Sequence, residues 1–128
     1  MADNVKQIAS AADFSSLLAS TQYVVADFYA DWCGPCKAIA PKYVELAKQH
    51  SLPGFMAFAK VNVDTVQAVA QEYGITAMPT FLFFKDGKKV AVNGNAMIQG
   101  ADWNTLRLAS EKMARLAKEK AIAAGGAK

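Results

Sequence analysis

Three stretches of this chain are apolar on both of the faces that an extended backbone presents. In residues 23–29, Tyr23, Val25 and Tyr29 fall on one face, and Val24, Ala26 and Phe28 on the other. A strand without polar alternation is covered on both sides, the habit of parallel sheets packed between helices. Residues 56–62 read as a second buried strand and residues 80–84 as a third internal one.

The segments between them carry helical periods. Residues 5–8 read as a short strand, and Ser10 followed by Asp13 resembles a capping arrangement. Phe14, Leu17 and Leu18 then share a helical face to about Ser20. Cys36, Ala40, Tyr43 and Ala47 recur at three and four residues, which predicts a helix from Gly34 to about Gln49. Pro41 removes one of its backbone donors and should bend it. Residues 65–73 read as a short helix stopped by Gly74. Lys85-Asp86-Gly87-Lys88 is a hairpin turn, and the return strand wanders from Lys89 through Val92-Asn93-Gly94-Asn95 to Ile98. Asp102 caps a last helix with Trp103, Leu106, Ala109, Met113 and Leu116 inside, running to about Ala123 before a mobile Gly125-Gly126 end. The order β-α-β-α-β-α-β-β-α predicts an α/β fold with a mixed sheet between layers of helices.

A chain of 128 residues with 53% hydrophobic residues builds one core, so residues 1–128 are read as a single domain. The longest apolar runs (23–26, 55–59 and 80–84) are far short of the ~20 residues of a membrane span. The first thirty residues lack a basic stretch followed by an apolar one, so no secretory signal is read. Fourteen basic and eleven acidic residues leave a surplus of +3, concentrated after Trp103. Nucleic-acid binding wants a broad basic face with stacking aromatics, and none is evident. No membrane or nucleic-acid partner is expected. Two cysteines, Cys33 and Cys36, are too few for a stapled secreted domain and indicate a reducing compartment, the cytoplasm.

Those cysteines stand three apart where a helix begins, one turn from each other. Backbone N–H groups there have no helical partner, and with the positive end of the helix dipole they favour a thiolate on Cys33. Cys36, one turn in, should be shielded. The division of labour follows: Cys33 attacks a disulfide, and Cys36 resolves the mixed disulfide. Pro35 costs no hydrogen bond so early in a helix, and Trp32 offers a flat apolar wall. Zinc wants four ligands, but only His50 accompanies the pair, at the far end of the helix. Haem attachment would need histidine where Lys37 stands. An inert buried pair has no reason to sit at a helix start behind Gly34-Pro35.

The stretch Ala26-Asp27-Phe28-Tyr29-Ala30-Asp31-Trp32-Cys33-Gly34-Pro35-Cys36-Lys37 closely resembles the active-site segment of the thioredoxin family. Gly74-Ile75-Thr76-Ala77-Met78-Pro79-Thr80 resembles that family's cis-proline loop, and Gln99-Gly100-Ala101 the glycine-containing edge of its substrate groove. The resemblance spans residues 4 to about 112. It implies a central mixed five-stranded sheet, order 1-3-2-4-5, flanked by four helices. A lowered thiol pKa is established for thioredoxin itself, so it is a family property. The implied activity is protein-disulfide reduction of diverse protein targets, with recycling by thioredoxin reductase and NADPH. No bound cofactor and no metal are implied, and a monomer is expected.

Asp27 lies mid-strand in a run buried on both faces, where an ionised carboxylate costs several kcal/mol unless compensated. A structural hydrogen bond or an edge position would explain it. The resemblance instead implies a proton acceptor and donor for Cys36, with a pKa raised by desolvation. Lys60 corresponds to the family's half-buried lysine beside that carboxyl and would tune it, unless its stem simply covers apolar surface. Sequence alone predicts a trans bond before Pro79; the resemblance reverses this. Trp32, Gly34, Pro35, Met78, Pro79, Gly100 and Ala101 would form a shallow, uncharged contact patch around Cys33, with the Met78 backbone pairing to a substrate strand.

Two regions depart from the family pattern. The hairpin from Gly87 to Gly100 is lengthened, with Val92-Asn93-Gly94-Asn95 as the excess, and reads as a neutral loop more than as a groove wall. The last helix runs on past residue 112, and residues 113–128 read as a solvated, alanine-rich extension with a flexible tail. More oxidising relatives carry histidine where Pro35 stands, which argues against an oxidase or isomerase. A scaffold indifferent to its thiols would be at most an additional role.

Overall fold

In the computed structural model, which describes residues 4–125, the predicted alternation of strand and helix forms around one mixed sheet. The strands are β1 (Val5–Gln7), β2 (Tyr23–Tyr29), β3 (Met56–Asn62), β4 (Thr80–Lys85), β5 (Lys88–Val90) and β6 (Met97–Gln99). The helices are α1 (Ala11–Ser20), α2 (Gly34–His50), α3 (Gln67–Glu72) and α4 (Trp103–Ala123). β1, β3 and β2 pair in parallel, and β4 joins β2 antiparallel. β5 and β6 both pair with β4, so the order is β1-β3-β2-β4 followed by these two pieces.

The expected fifth strand is thus two strands of three residues. β5 covers Phe83–Lys85 of β4, β6 covers Thr80–Leu82, and residues 91–96 loop out between them. The excursion closes through reciprocal Val92–Asn95 backbone hydrogen bonds, with Asn93 and Gly94 at positive φ, the hairpin-turn conformation. It is not a bare loop: Val92 is buried in the core.

Strand alternation divides that core. Val25, Phe58, Phe81 and Phe83 face Ile39 and Tyr43 of α2 and Leu106 and Met113 of α4. Val24, Ala26, Phe28, Leu82 and Phe84 face Phe14 of α1 and Val69 of α3. Phe14 meets Phe84 edge to face at 5.4 Å between ring centres, a favoured aromatic arrangement.

Local signals explain the helix ends. Ser10 Oγ accepts the Asp13 N–H at 3.1 Å, and Asp13 Oδ2 accepts the Ala9 N–H at 2.9 Å, so two orphan donors are satisfied together. α3 begins at Gln67, two residues later than its pattern suggested, because Thr65 and Val66 turn back onto the Asn62 carbonyl. Gly74, at φ +65, follows it, where a side chain would be strained. α2 is one continuous helix through Pro41.

The C-terminal extension departs from expectation. Ala117 and Ala121 are each only 1% exposed, so the helix lies down on the body instead of standing in solvent. Alanine lets its backbone approach closely, which the sequence pattern disguised as weak amphipathicity. Of the Gly125-Gly126 end, Gly126 lies outside the described residues.

Candidate active site at the start of α2

On the α2/α4 face, the sheet's apolar floor turns polar as the strands run toward the start of α2. Val5, Phe58 and Val25 share one rung; two residues on, the rung is Gln7, Lys60 and Asp27. β2 ends at Tyr29, and the chain turns through Ala30-Asp31-Trp32 into α2.

Cys33 is the N-cap. Its Sγ accepts the Cys36 N–H at 3.2 Å, taking one of the donors that a helix start leaves unpaired. Its carbonyl receives the Lys37 N–H at 3.2 Å, and Pro35 in the first turn withholds nothing. The two cysteines are joined by a disulfide, with Cα atoms 5.3 Å apart. Exposure does not separate them, since Cys33 is 5% and Cys36 4% exposed. Their surroundings do. Cys33 Sγ lies 3.6 Å from the Met78 carbonyl oxygen, whereas Cys36 lines a cleft of about 150 Å³ with Asp27, Tyr29 and Lys60.

The Met78–Pro79 bond is cis, as the resemblance implied and isolated sequence statistics did not. Gly100 N–H donates to the Pro79 carbonyl at 2.7 Å, which ties the Gln99-Gly100-Ala101 edge to the proline turn. Gly100 has φ +92, a conformation that suits glycine. Trp32 is 68% exposed, yet fixed: its indole N–H donates to Asp64 Oδ2 at 2.9 Å. Trp32, Asp64, Ile75 and Met78 line a shallow cleft of about 360 Å³ beside the disulfide. A larger cleft of about 670 Å³, by Thr21, Tyr73 and Asp86, contains no cysteine and lies away from this chemistry.

Asp27 is buried, and its Oδ1 has no hydrogen-bond partner. Desolvation pushes its carboxyl up from 3.8 to about 7, against the opposing pull of the Lys60 ammonium on the adjacent strand. Tyr43 of α2 lies nearby, its hydroxyl between the carbonyls of Ala59 (2.7 Å) and Val25 (3.0 Å). Burial first, and then the Asp27 charge, hold that phenol well above its ordinary pKa, so it stays protonated.

The sequence reading missed Asp64, Asn62 and Tyr43. Asn62 is buried at the end of β3; its Oδ1 accepts the Asp64 N–H at 2.8 Å and its Nδ2 reaches Asp31 Oδ2 at 3.4 Å. Polar residues at the carboxyl end of a parallel strand are the signal that would have found Asn62 and Asp64. Tyr43 was legible only as a stripe residue. Among the described residues no group of three or more His, Cys, Asp or Glu could hold a metal ion. No helix of the described residues is long and apolar enough to cross a membrane.

The thioredoxin family model matches residues 5–102. A thioredoxin of Neurospora crassa is 71% identical over 125 residues, covering 98% of each chain. A solved thioredoxin of Plasmodium falciparum is 41% identical with a TM-score of 0.75, over 84% of this chain and 98% of its own. A chain from work on the thiol resolving mechanism in yeast mitochondrial 1-Cys peroxiredoxin via glutathione/thioredoxin systems is 31% identical, with a TM-score of 0.73, over 84% and 94%. With the cysteine pair closed across the first turn of α2 in a sheet of this order, these likenesses establish that the chain belongs to the thioredoxin family of disulfide oxidoreductases, its redox centre the Cys33–Cys36 disulfide/dithiol.

Proposed function

We propose that the chain reduces protein disulfides with Cys33 as nucleophile and Cys36 as resolving thiol. The observation that carries this division is the seat of Cys33 Sγ, between the Cys36 N–H and the Met78 carbonyl, while Cys36 faces Asp27. In the reduced protein the helix N-terminus stabilises a Cys33 thiolate. That thiolate attacks one sulfur of the target disulfide; the S–S bond breaks and the other target sulfur leaves as a thiolate. Cys36 then gives its proton to the Asp27 carboxylate, and its sulfur attacks Cys33, expelling the remaining target thiolate. The target gains two electrons and the pair becomes the disulfide. Lys60 tunes Asp27 from the neighbouring strand.

Trp32, Gly34, Pro35, Met78, Pro79, Gly100 and Ala101 form the target-contacting surface. It is low in charge and shallow, which suits extended segments of many proteins, docked by main-chain pairing at Met78. Return to the dithiol falls to a thioredoxin reductase drawing on NADPH. The reading includes a cytoplasmic monomer with one domain, residues 1–128, its family core at about 4–112.

The test is NADPH-driven reduction of insulin disulfides with a thioredoxin reductase present. Wild type turns over, Cys33→Ser does not, and Cys36→Ser accumulates mixed disulfides through Cys33 that dithiothreitol releases. Failure of the wild type with reductases from several sources overturns the recycling scheme, and trapping through Cys36 instead of Cys33 overturns the assignment of roles.

A further inference from the structure

Lys60 is placed to act on Asp27, but a lysine on a four-carbon stem is a mobile charge whose effect depends on what holds it. Three side chains surround it on the same face of the sheet. Asp27 is its register partner on β2 and Gln7 its register partner on β1, while Tyr29 stands two residues beyond Asp27. The Lys60 ammonium lies 5.8 Å from the centre of the Tyr29 ring, within cation–π range. The phenol in turn meets the Gln7 amide, with Oη 3.2 Å from Nε2 and 3.4 Å from Oε1.

β1 and β2 are not neighbours; β3, carrying Lys60, runs between them. Two strand spacings amount to about 10 Å, so Gln7 and Tyr29 meet only by reaching toward each other over the intervening strand. Tyr29 and Lys60 also line the cleft that holds Asp27 and Cys36. We propose that Gln7 and Tyr29 form a strap across Lys60 that holds its ammonium at the mouth of the Asp27 cleft, making Tyr29 a positioning residue for proton exchange between Asp27 and Cys36. The second half rests on the proton-transfer reading given above; the strap itself does not.

The other groups around the carboxyl are accounted for. Tyr43 of α2 feels its charge; Cys36, Asp31 and Lys37 line the same cleft; Phe81, its register partner on β4, carries no charge. Lys60 is therefore the cation on the strands beside Asp27 whose placement Tyr29 governs. Released from the strap, the ammonium spends more time in solvent, its attraction for the carboxylate weakens, and Asp27 holds its proton to higher pH.

The experiment is a carbon-13 NMR titration of the Asp27 carboxyl in the oxidised full-length protein, in variants of the strap. Lys60→Met and Tyr29→Leu should each raise the midpoint by about half a pH unit, the scale of a partly exposed charge pair. Gln7→Leu, at an exposed position where folding is not at stake, should move it the same way by less. In a Lys60→Met background neither strap substitution should add anything, since both act through the lysine. An unmoved midpoint in Tyr29→Leu and Gln7→Leu, or a full shift persisting without Lys60, overturns the strap. A parallel stopped-flow measurement follows expulsion of a chromogenic aryl thiol from Cys33 by Cys36 against pH. If its profile tracks the Asp27 midpoint across the variants, both halves stand. If Asp27 moves and the profile does not, the strap survives and Asp27 is not the proton acceptor.

Discussion

Among the described residues, two of the buried side-chain oxygens that lack a hydrogen-bond partner lie in different worlds. Asp27 Oδ1 sits on β2 behind the redox pair, beside a cleft and within the field of Lys60. Ser110 Oγ sits on the inner stripe of α4, in a residue with 0% exposure, packed on the sheet away from any cysteine. Leaving a buried polar atom unpaired costs stability in either place. At Asp27 the cost creates a carboxyl that exchanges its proton near neutral pH; at Ser110 nothing in the structure makes use of it. Removing each group should therefore stabilise the fold, with loss of chemistry only in the first case.

The largest effect belongs to Asp27. Its folded value of about 7 stands above the ordinary 3.8, so the native state binds the proton more tightly than the unfolded chain. Wild-type stability should fall as pH rises between those values and then level off, by about three pH units at roughly 1.4 kcal/mol each, some 4 kcal/mol. Asp27→Asn should lack that slope. Denaturant melts at pH 5 and pH 8 in both proteins measure it, and the variant should also resolve mixed disulfides slowly. Equal slopes in the two proteins would erase the contrast with Ser110.

Tyr43 supplies the control for a buried hydroxyl that is satisfied, its Oη resting between two strand carbonyls. Tyr43→Phe should cost about 1–2 kcal/mol by chemical denaturation, the reverse in sign of the other two substitutions. The smallest change is Ser110→Ala, which should stabilise by about 1 kcal/mol through loss of an orphan hydroxyl and a gain in helix propensity, with insulin reduction unaltered. A destabilised Ser110→Ala would mean that its hydroxyl has a partner in solution.

What the sequence made legible follows the same physics. Strands apolar on both faces are covered on both sides, so β2, β3 and β4 were readable from their lack of polar alternation. The N-cap role of Cys33 was readable because Gly34 and Pro35 mark a helix start. The cis geometry before Pro79 came from family likeness, since local chemistry favours trans. The split of the last strand was not readable: residues 91–96 carry turn residues, but Val92's burial depends on a core assembled from distant segments. Nor was the docking of α4's last turns, where small alanines bury without announcing themselves by hydrophobicity. Asn62, Asp64 and Tyr43 act through distant partners, Asp31, Trp32 and the strand carbonyls; the strand-end position of Asn62 and Asp64 hints at a site, but those pairings are not encoded locally.

The divided final strand has one more effect. A molecule that grips extended peptides by their main chain, as proposed for this one, would risk gripping its own copies along any open flank of its sheet. Among the described residues, one flank ends in the three-residue β1, and the other is cut into two three-residue pieces by the 91–96 excursion. No long, flat border is offered for another chain to zip onto. On the proposed reading, strand recognition is then left to the place where the sulfurs wait.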